Sequence, residues 1–386
     1  VSRPSDVDQV PPSASEPRGG EPDAELAVAS QRTLVWRALR RHKLAMAGLV
    51  VTCLLYLVAI FADFLAPYDP NDINADYAFA PPQQLHIVDT SGDEWDWGLY
   101  VNGYEQTRDP ETLALTFRED PSVKVPVEFL ARGPEYELFG LISTNIHLIG
   151  PADPDGPPMY LLGASRTGHD QLSRILHGAR ISMSIGLVGL AMAFTLGVVL
   201  GGVSGYFGGK ADAVIQRLVE FFMSVPAIPL WLGLAAALPR DWGPLQRYLA
   251  ITVILSIINW TDLARVVRGR FLALRGEDFV TAAYLDGIRQ RRIIGRHMLP
   301  SFASHLIAAM TLSIPAMILA ETSLSFLGLG LRPPTISWGV LLSDVDVRAL
   351  ETAPWLLLPG VAVVVAVLAI NFLGDGLRDA ADPYQS

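Results

Sequence analysis

A single cysteine, Cys53, stands among 386 residues, so neither a disulfide framework nor a cysteine-built metal site can form within the chain. It reads as a small buried apolar residue. Charge is scarce too: Asp, Glu, Lys and Arg make up 18% of the sequence while 51% is apolar, too greasy for an ordinary soluble domain. The loops that carry chemistry are missing. No Gly-x-x-x-x-Gly-Lys-[Ser/Thr] stretch occurs; around Gly209-Lys210 the first glycine is replaced by Ser204, and Ala211 follows the lysine. ATP phosphates therefore have no cradle here. Neither a His-Glu-x-x-His helix nor a Gly-x-Ser-x-Gly elbow is present, which removes the corresponding hydrolase readings. His169 and His177, eight apart and without a third ligand, read as surface or interface residues. No catalytic residue, metal site or cofactor is assigned to this chain.

What the chain has in excess is apolar length. The runs 44–62, 181–206, 221–239 and 354–374 contain no charged residue, and each approaches the roughly 20 residues a helix needs to cross a bilayer. Two further runs, 248–261 and 306–320, reach that length only by taking in Asp262 and Glu321. Six spans are expected. The first run starts only after more than 40 residues and is too long for a signal core, so it reads as a permanent span and not a cleaved leader. Residues 1–30, rich in Pro, Ser, Glu and Asp, are expected to form a disordered cytoplasmic tail.

Charge is placed asymmetrically between the spans. Arg32, Arg37, Arg40, Arg41 and Lys43 crowd the entrance to the first. Loop 267–300 carries Arg268, Arg270, Arg275, Arg289, Arg291, Arg292 and Arg296 against three acids. Loop 67–160 holds 17 acidic residues against Arg108, Arg118, Lys124 and Arg132. The positive-inside rule then puts both termini in the cytoplasm and 67–160 outside. The net charge of −10 comes from that outer loop and says nothing about nucleic-acid avoidance; no nucleic-acid partner is among those expected.

Within the loop, Val123, Val125, Val127 and Phe129 alternate with Lys124, Pro126 and Glu128, the periodicity of a strand. A small β-rich extracytoplasmic insert is expected between spans one and two. Trp95, Trp97, Tyr100 and Tyr104 supply its own core or contact a substrate or its carrier. Span two carries Gly189, Ala193, Gly197, Gly201 and Gly205 at four-residue spacing, a face for close packing within the chain or against a second subunit. Pro226, Pro229, Pro315 and Pro359 are expected to kink spans three, five and six. Asn259, Asp262 and Glu321 are polar groups within spans and so candidates for a translocation path. Each could instead lie near a span end and reach water, and Arg265 is one turn from Asp262.

Segment 277–300 is a charged helix and turn between two apolar stretches, and so lies at a membrane surface. Ala282 and Ala283 offer a small face, Gly287 breaks the helix near its middle, and Leu299-Pro300 ends it. The pattern Ala-Ala, three residues, Gly, then Leu-Pro resembles the cytoplasmic coupling motif of ABC importer permeases. Thr281 stands where that family normally has Glu, and His297 where Ile is common. Residues 162–180, with Ser173-Arg174 and Gly178-Ala179-Arg180, resemble the oligopeptide/dipeptide/nickel branch. So do Ala66-Pro67-Tyr68-Asp69-Pro70, Glu321 to Gly330, Pro333-Pro334, Ser337-Trp338-Gly339, Asn371 to Asp379 and Asp382-Pro383, in the same order.

The resemblance, which covers roughly 40–70 and 160–383, implies an all-α polytopic membrane protein with six transmembrane helices and a cytoplasmic coupling helix, to which the residues themselves add the β-rich insert and the tail. Its parts would be a tail (1–30), an N-terminal segment with the first span (31–66), the insert (67–160) and a permease core (161–386). It implies the second, C-type transmembrane subunit of an importer in a bacterial inner membrane. Thr281, Ala282, Ala283, Gly287, Leu299 and Pro300 would couple to ATPase subunits. Partners would be a second permease subunit, two ATPase subunits holding ATP and Mg, and an extracytoplasmic solute-binding protein. Cargo would be peptides, with oligosaccharide or nickel as alternatives. Other readings of the same residues are an autonomous secondary transporter or channel, in which Asp262 and Glu321 carry ions, and a membrane-anchored receptor.

Overall fold

A computed structural model describes residues 31–89, 96–108 and 115–381. The tail expected over 1–30, Trp95 and Asp382-Pro383 lie outside the described residues. After Gln31–Arg41 (α1) and Lys43–Ile60 (α2) the chain makes four strands: Leu85–Asp89 (β1), Asp96–Arg108 (β2), Leu115–Leu138 (β3) and Ile142–Pro151 (β4). Helices follow: Gln171–Phe207 (α3), Gly209–Ser224 (α4), Ala227–Ala236 (α5), Pro244–Leu274 (α6), Asp278–Leu285 (α7), Ala303–Phe326 (α8), Trp338–Ser343 (α9) and Leu358–Ala381 (α10). Helices α2, α3, α6, α8 and α10 contain segments long and apolar enough to cross a membrane.

The third expected span is not one helix. Helices α4 and α5 meet at 87°. Val225 and Pro226 are extended there, so the helical ladder stops and restarts. Pro226 caps α5 and Pro229 lies in its first turn, where a missing N–H costs nothing. Pro359 likewise sits in the first turn of α10 and kinks nothing; Pro315 alone lies inside a helix, α8. The bend expected at Pro226 is there, as a full break with Val225 pushed out of the helical region, and not as a kink in a continuous span.

Helix packing follows the small residues. On α3 the Gly189–Gly205 stripe turns onto this chain's own α6. A Cβ at Gly201 would come within 2.5 Å of the Ala264 carbonyl, and one at Gly205 within 2.7 Å of the Arg268 carbonyl. Ser256 Oγ donates across the seam to the Gly189 carbonyl at 3.0 Å. Gly48 plays the same part between α2 and α10, where a Cβ would meet the Ala369 carbonyl at 2.5 Å. The inner face of α2 is Ala45, Gly48, Thr52 and Ala59. Cys53 falls on the outward face with Leu54 and is exposed, not buried. One helical step from Thr52 is enough to turn it away from α10.

The strands form one antiparallel sheet in the order β1-β2-β3-β4. Val125 and Val127 are buried with Val101 and Met159. Val123 and Phe129 share their alternation but are exposed, because the cover from Met159 and Leu161 reaches only the middle of that face. Of the aromatics singled out above, Trp97 is exposed. Tyr104 joins a ring cluster with Tyr77 and Phe117 and donates to the Pro81 carbonyl.

The sheet is bound to the end of the bundle where α2 finishes. His147, buried, sets Nδ1 2.6 Å from the Ala66 carbonyl. Asp63 accepts from Arg180 Nη2 at 2.8 Å and lies 2.9 Å from His177 Nε2. Burial alone would raise the Asp63 carboxyl. The hydrogen bonds and charges of His177 and Arg180 outweigh it and hold that carboxyl well below the usual range.

Candidate functional site

Glu277 is extended and α7 begins at Asp278. Val280 and Ala283 turn inward onto Val267 and Phe271 of α6 and onto Ile293, Met298 and Phe302. The two alanines therefore do not share a face: Ala283 is buried in this chain's own core, whereas Ala282 is exposed beside Thr281. Consecutive helical residues point about 100° apart, and the pattern alone did not say which would face in.

Gly287 does not interrupt the helix; it ends it. Its φ is +71°, the Ile288 N–H reaches the Ala283 carbonyl at 3.2 Å, and its own N–H reaches the Tyr284 carbonyl at 3.1 Å. This paired closure over a left-handed residue is the Schellman motif, which glycine accommodates without a Cβ penalty. The chain then turns through Gln290–Ile293 and a wide π turn, Ile294–Met298, before Leu299-Pro300. Leu299 packs against the same core and Pro300 is exposed. The outward surface of the segment is large and apolar: Tyr284 is 63% and Leu285 79% exposed, beside the exposed Arg289, Arg291 and Arg292. Sequence reasoning passed over Tyr284 and Leu285, although two bulky apolar residues before Asp286 were a visible signal.

The three path candidates have separate surroundings. Asn259 Nδ2 donates to the Leu255 carbonyl one turn back at 3.0 Å. Asp262 is exposed and pairs with Arg265 at 2.8 Å. Glu321 is wholly buried: Oε1 accepts from Ser325 Oγ and Ser337 Oγ, both at 2.8 Å, and Oε2 from Ser182 Oγ at 3.3 Å. Each serine does a second job. Ser182 Oγ accepts from the Trp338 N–H, Ser325 Oγ from the Leu331 N–H, and Ser337 Oγ from the Val340 N–H at the start of α9. One carboxylate thereby ties α3, α8 and α9 together. Ser325 and Ser337 were legible only as parts of motifs and Ser182 only within an apolar run, none of them as its partner.

At the sheet end of α3, Asp170 Oδ2 accepts from Ser173 N at 2.8 Å and from Ser173 Oγ at 2.6 Å. Its burial is complete and prevails over those hydrogen bonds, pushing the carboxyl up to about 6. His169 Nδ1 lies 2.6 Å from Thr167 Oγ1. Among the described residues, no three His, Cys, Asp or Glu side chains gather where they could hold a metal ion.

Two families match the chain. The binding-protein-dependent transport system inner membrane component covers residues 197–385, and the N-terminal transmembrane domain of oligopeptide transport permease C covers 30–82. The oligopeptide transport system permease protein OppC of Haemophilus influenzae is 36% identical over 256 residues, 66% of this chain and 80% of that protein. OppC of Escherichia coli K12 is 38% identical over 256 residues, 66% and 82% of the two chains. The dipeptide transport system permease protein DppC of Bacillus subtilis is 29% identical over 349 residues, 90% and 84%. A chain of the MetNI methionine ABC transporter in an inward-facing form aligns with a TM-score of 0.41 at 19% identity, over 54% of this chain and 96% of that one. That likeness is too low to add to the assignment. The chain belongs to the family of ABC importer permeases, as a C-type subunit of the oligopeptide/dipeptide branch: a multi-pass membrane subunit without an ATP-binding site, its ATPase carried on a separate subunit.

Proposed function

We propose that this subunit forms half of the path of a peptide importer and receives its drive through the outward surface of 277–300. The observation that carries the reading is the exposed Tyr284-Leu285 pair on a short helix whose other side is anchored in this chain's own core. Such a helix moves the ends of α6 and α8 when a partner moves it. Thr281 and Ala282 flank the docking surface; Ala283, Gly287, Leu299 and Pro300 hold its shape. Two ATPase subunits holding MgATP would dock on this segment and its counterpart in the second permease subunit. The arginine excess in 267–300 supports a cytoplasmic position for it and for both termini. Residues 67–160 then form a β-rich insert on the outer face, where a solute-binding protein delivers cargo. Residues 31–66 bring in the first span, 161–386 form the permease core, and 1–30 a cytoplasmic tail.

Peptide cargo rests on the relatives, which are named for oligopeptide and dipeptide transport. Of the path candidates, Asp262 is exposed and Asn259 half-buried, whereas Glu321 is enclosed among α3, α8 and α9. The test is the importer purified with its companion subunits and placed in vesicles. Peptide-loaded binding protein should stimulate ATP hydrolysis. Leu285→Asp should lower that stimulation at least about tenfold, the equivalent of roughly 1.4 kcal/mol of lost contact. Uptake by this chain alone, or stimulation indifferent to Leu285→Asp, overturns the reading.

A further inference from the structure

The turn joining β3 to β4 is apolar throughout, Leu138-Phe-Gly-Leu-Ile142, and its side chains find little cover: Phe139 is 58%, Leu141 86% and Ile142 60% exposed. Phe139 is also held at φ +57°, next to Gly140 at +66°. That left-handed region suits Asn, Asp or Gly at a hairpin tip and resists a bulky side chain. A phenylalanine kept there against its backbone preference points to a use for its ring. The ring meets Phe61, edge to face, with centroids 5.8 Å apart.

Phe61 fixes the height of this contact. The preceding helix α2 has 18 residues and so is about 27 Å long, close to the roughly 30 Å thickness of a bilayer's hydrocarbon core. Lipid must reach both of its ends, and Phe61 lies at the boundary. Beneath the tip a cleft of about 500 Å³ opens between α2 and α3, lined by Tyr56, Ile60, Met183 and Leu187 and roofed by Phe139. Outward-facing Leu57, Ile60 and Leu187 make its apolar wall continuous with the lipid-facing sides of the spans. Its polar lining is the Asp63–Arg180 pair with Glu137 and Ser184, and the charged groups stand at the level where headgroups lie.

We propose that the β3–β4 tip is a second membrane anchor, inserted into the leaflet at the sheet end of the bundle, with a lipid acyl chain filling the cleft beneath it. Leu141 and Ile142 enter the leaflet, and Phe139 closes the chain against α2. The sheet is thereby held at a fixed height above the membrane. The inference rests on the membrane reading of α2 and α3, not on the coupling role of 277–300; which leaflet is meant follows from the proposed orientation.

The test uses the importer with its companion subunits in lipid nanodiscs, in a Cys53→Ser background. An environment-sensitive fluorophore is attached at Leu141→Cys or, as a control, at Glu105→Cys on β2; both positions are exposed, so folding is not at stake. Lipids bearing a nitroxide on the acyl chain should remove most of the emission at 141 and little at 105. A 141 probe that is unquenched and open to iodide lies in water and sinks the proposal. One that is unquenched yet shielded from iodide is covered by protein, which sinks it equally. Equal quenching at both positions overturns a tip-specific anchor. Labelling of the Glu105→Cys variant by a membrane-impermeant reagent in right-side-out vesicles reports orientation separately, so that failure there leaves the lipid contact standing.

Discussion

At the scale of single residues, two buried carboxyls have different work. Glu321 holds three serine hydroxyls, each of which also accepts a backbone N–H. Glu321→Ala leaves those hydroxyls without an acceptor, at about 1–3 kcal/mol for each group left unpaired. We expect it to lower the thermal unfolding midpoint of the complex strongly. Glu321→Gln keeps one acceptor oxygen and should cost less. Uptake that fails in Glu321→Gln at unchanged thermal stability would instead make Glu321 part of the path. Asp170 is a pH device by its burial. Its folded pKa of about 6 lies above the ordinary 3.8, so the folded form holds the proton more tightly. The resulting stability is complete below pH 3.8 and is lost as pH rises through about 6. Unfolding midpoints measured across that window should fall with rising pH, and Asp170→Asn, which keeps a side-chain oxygen for the cap, should flatten the slope.

At the scale of elements, the α3–α6 seam depends on backbone approach. Gly201→Ala and Gly205→Ala each force a methyl group onto a facing carbonyl, and overpacking of this kind costs about 1–3 kcal/mol. Gly269 lies on α6 with open space where its Cβ would go. Gly269→Ala should therefore be neutral or stabilising by up to about 1 kcal/mol. Chemical denaturation of the three variants side by side checks the contrast. The four-residue spacing made this stripe readable from sequence, but not its partner. The seam lies within the chain because α6 fills the space the glycines leave, with Ser256 on Gly189, Leu263 on Gly197, Ala264 on Gly201 and Phe271 on Gly205. The α4–α5 bend was signalled by Pro226, before which Val225 is extended, but its size, 87°, was not, because a proline marks where a helix breaks and not how far the chain turns.

At the scale of the whole molecule, the charge pattern and the docking surface must agree. If 277–300 faces the cytoplasm, Arg291→Cys in a Cys53→Ser background should be labelled by an impermeant thiol reagent in inside-out vesicles and not in right-side-out ones. The reverse pattern would remove the ATPase reading of Tyr284 and Leu285 along with the orientation. Ala283 is a poor probe of coupling despite its place in the motif, since any larger side chain there disrupts the core formed by Val267, Phe271 and Met298. Leu285, exposed, separates docking from folding.

The sequence by itself determined that this chain is a membrane subunit without an engine of its own. Long uncharged runs are local properties that no tertiary arrangement can alter, and the family carries its ATPase on a separate subunit. It also determined the order of motifs that places the chain in its family. Only the tertiary structure decided which of Ala282 and Ala283 faces out, that Gly287 closes α7 instead of breaking it, and that Cys53 looks away from the core. It alone gathered Ser182, Ser325 and Ser337, 143 and 12 residues apart in sequence, around Glu321. The physical reason is the same each time: facing and partnership depend on which neighbour covers a residue, and that neighbour is usually distant along the chain.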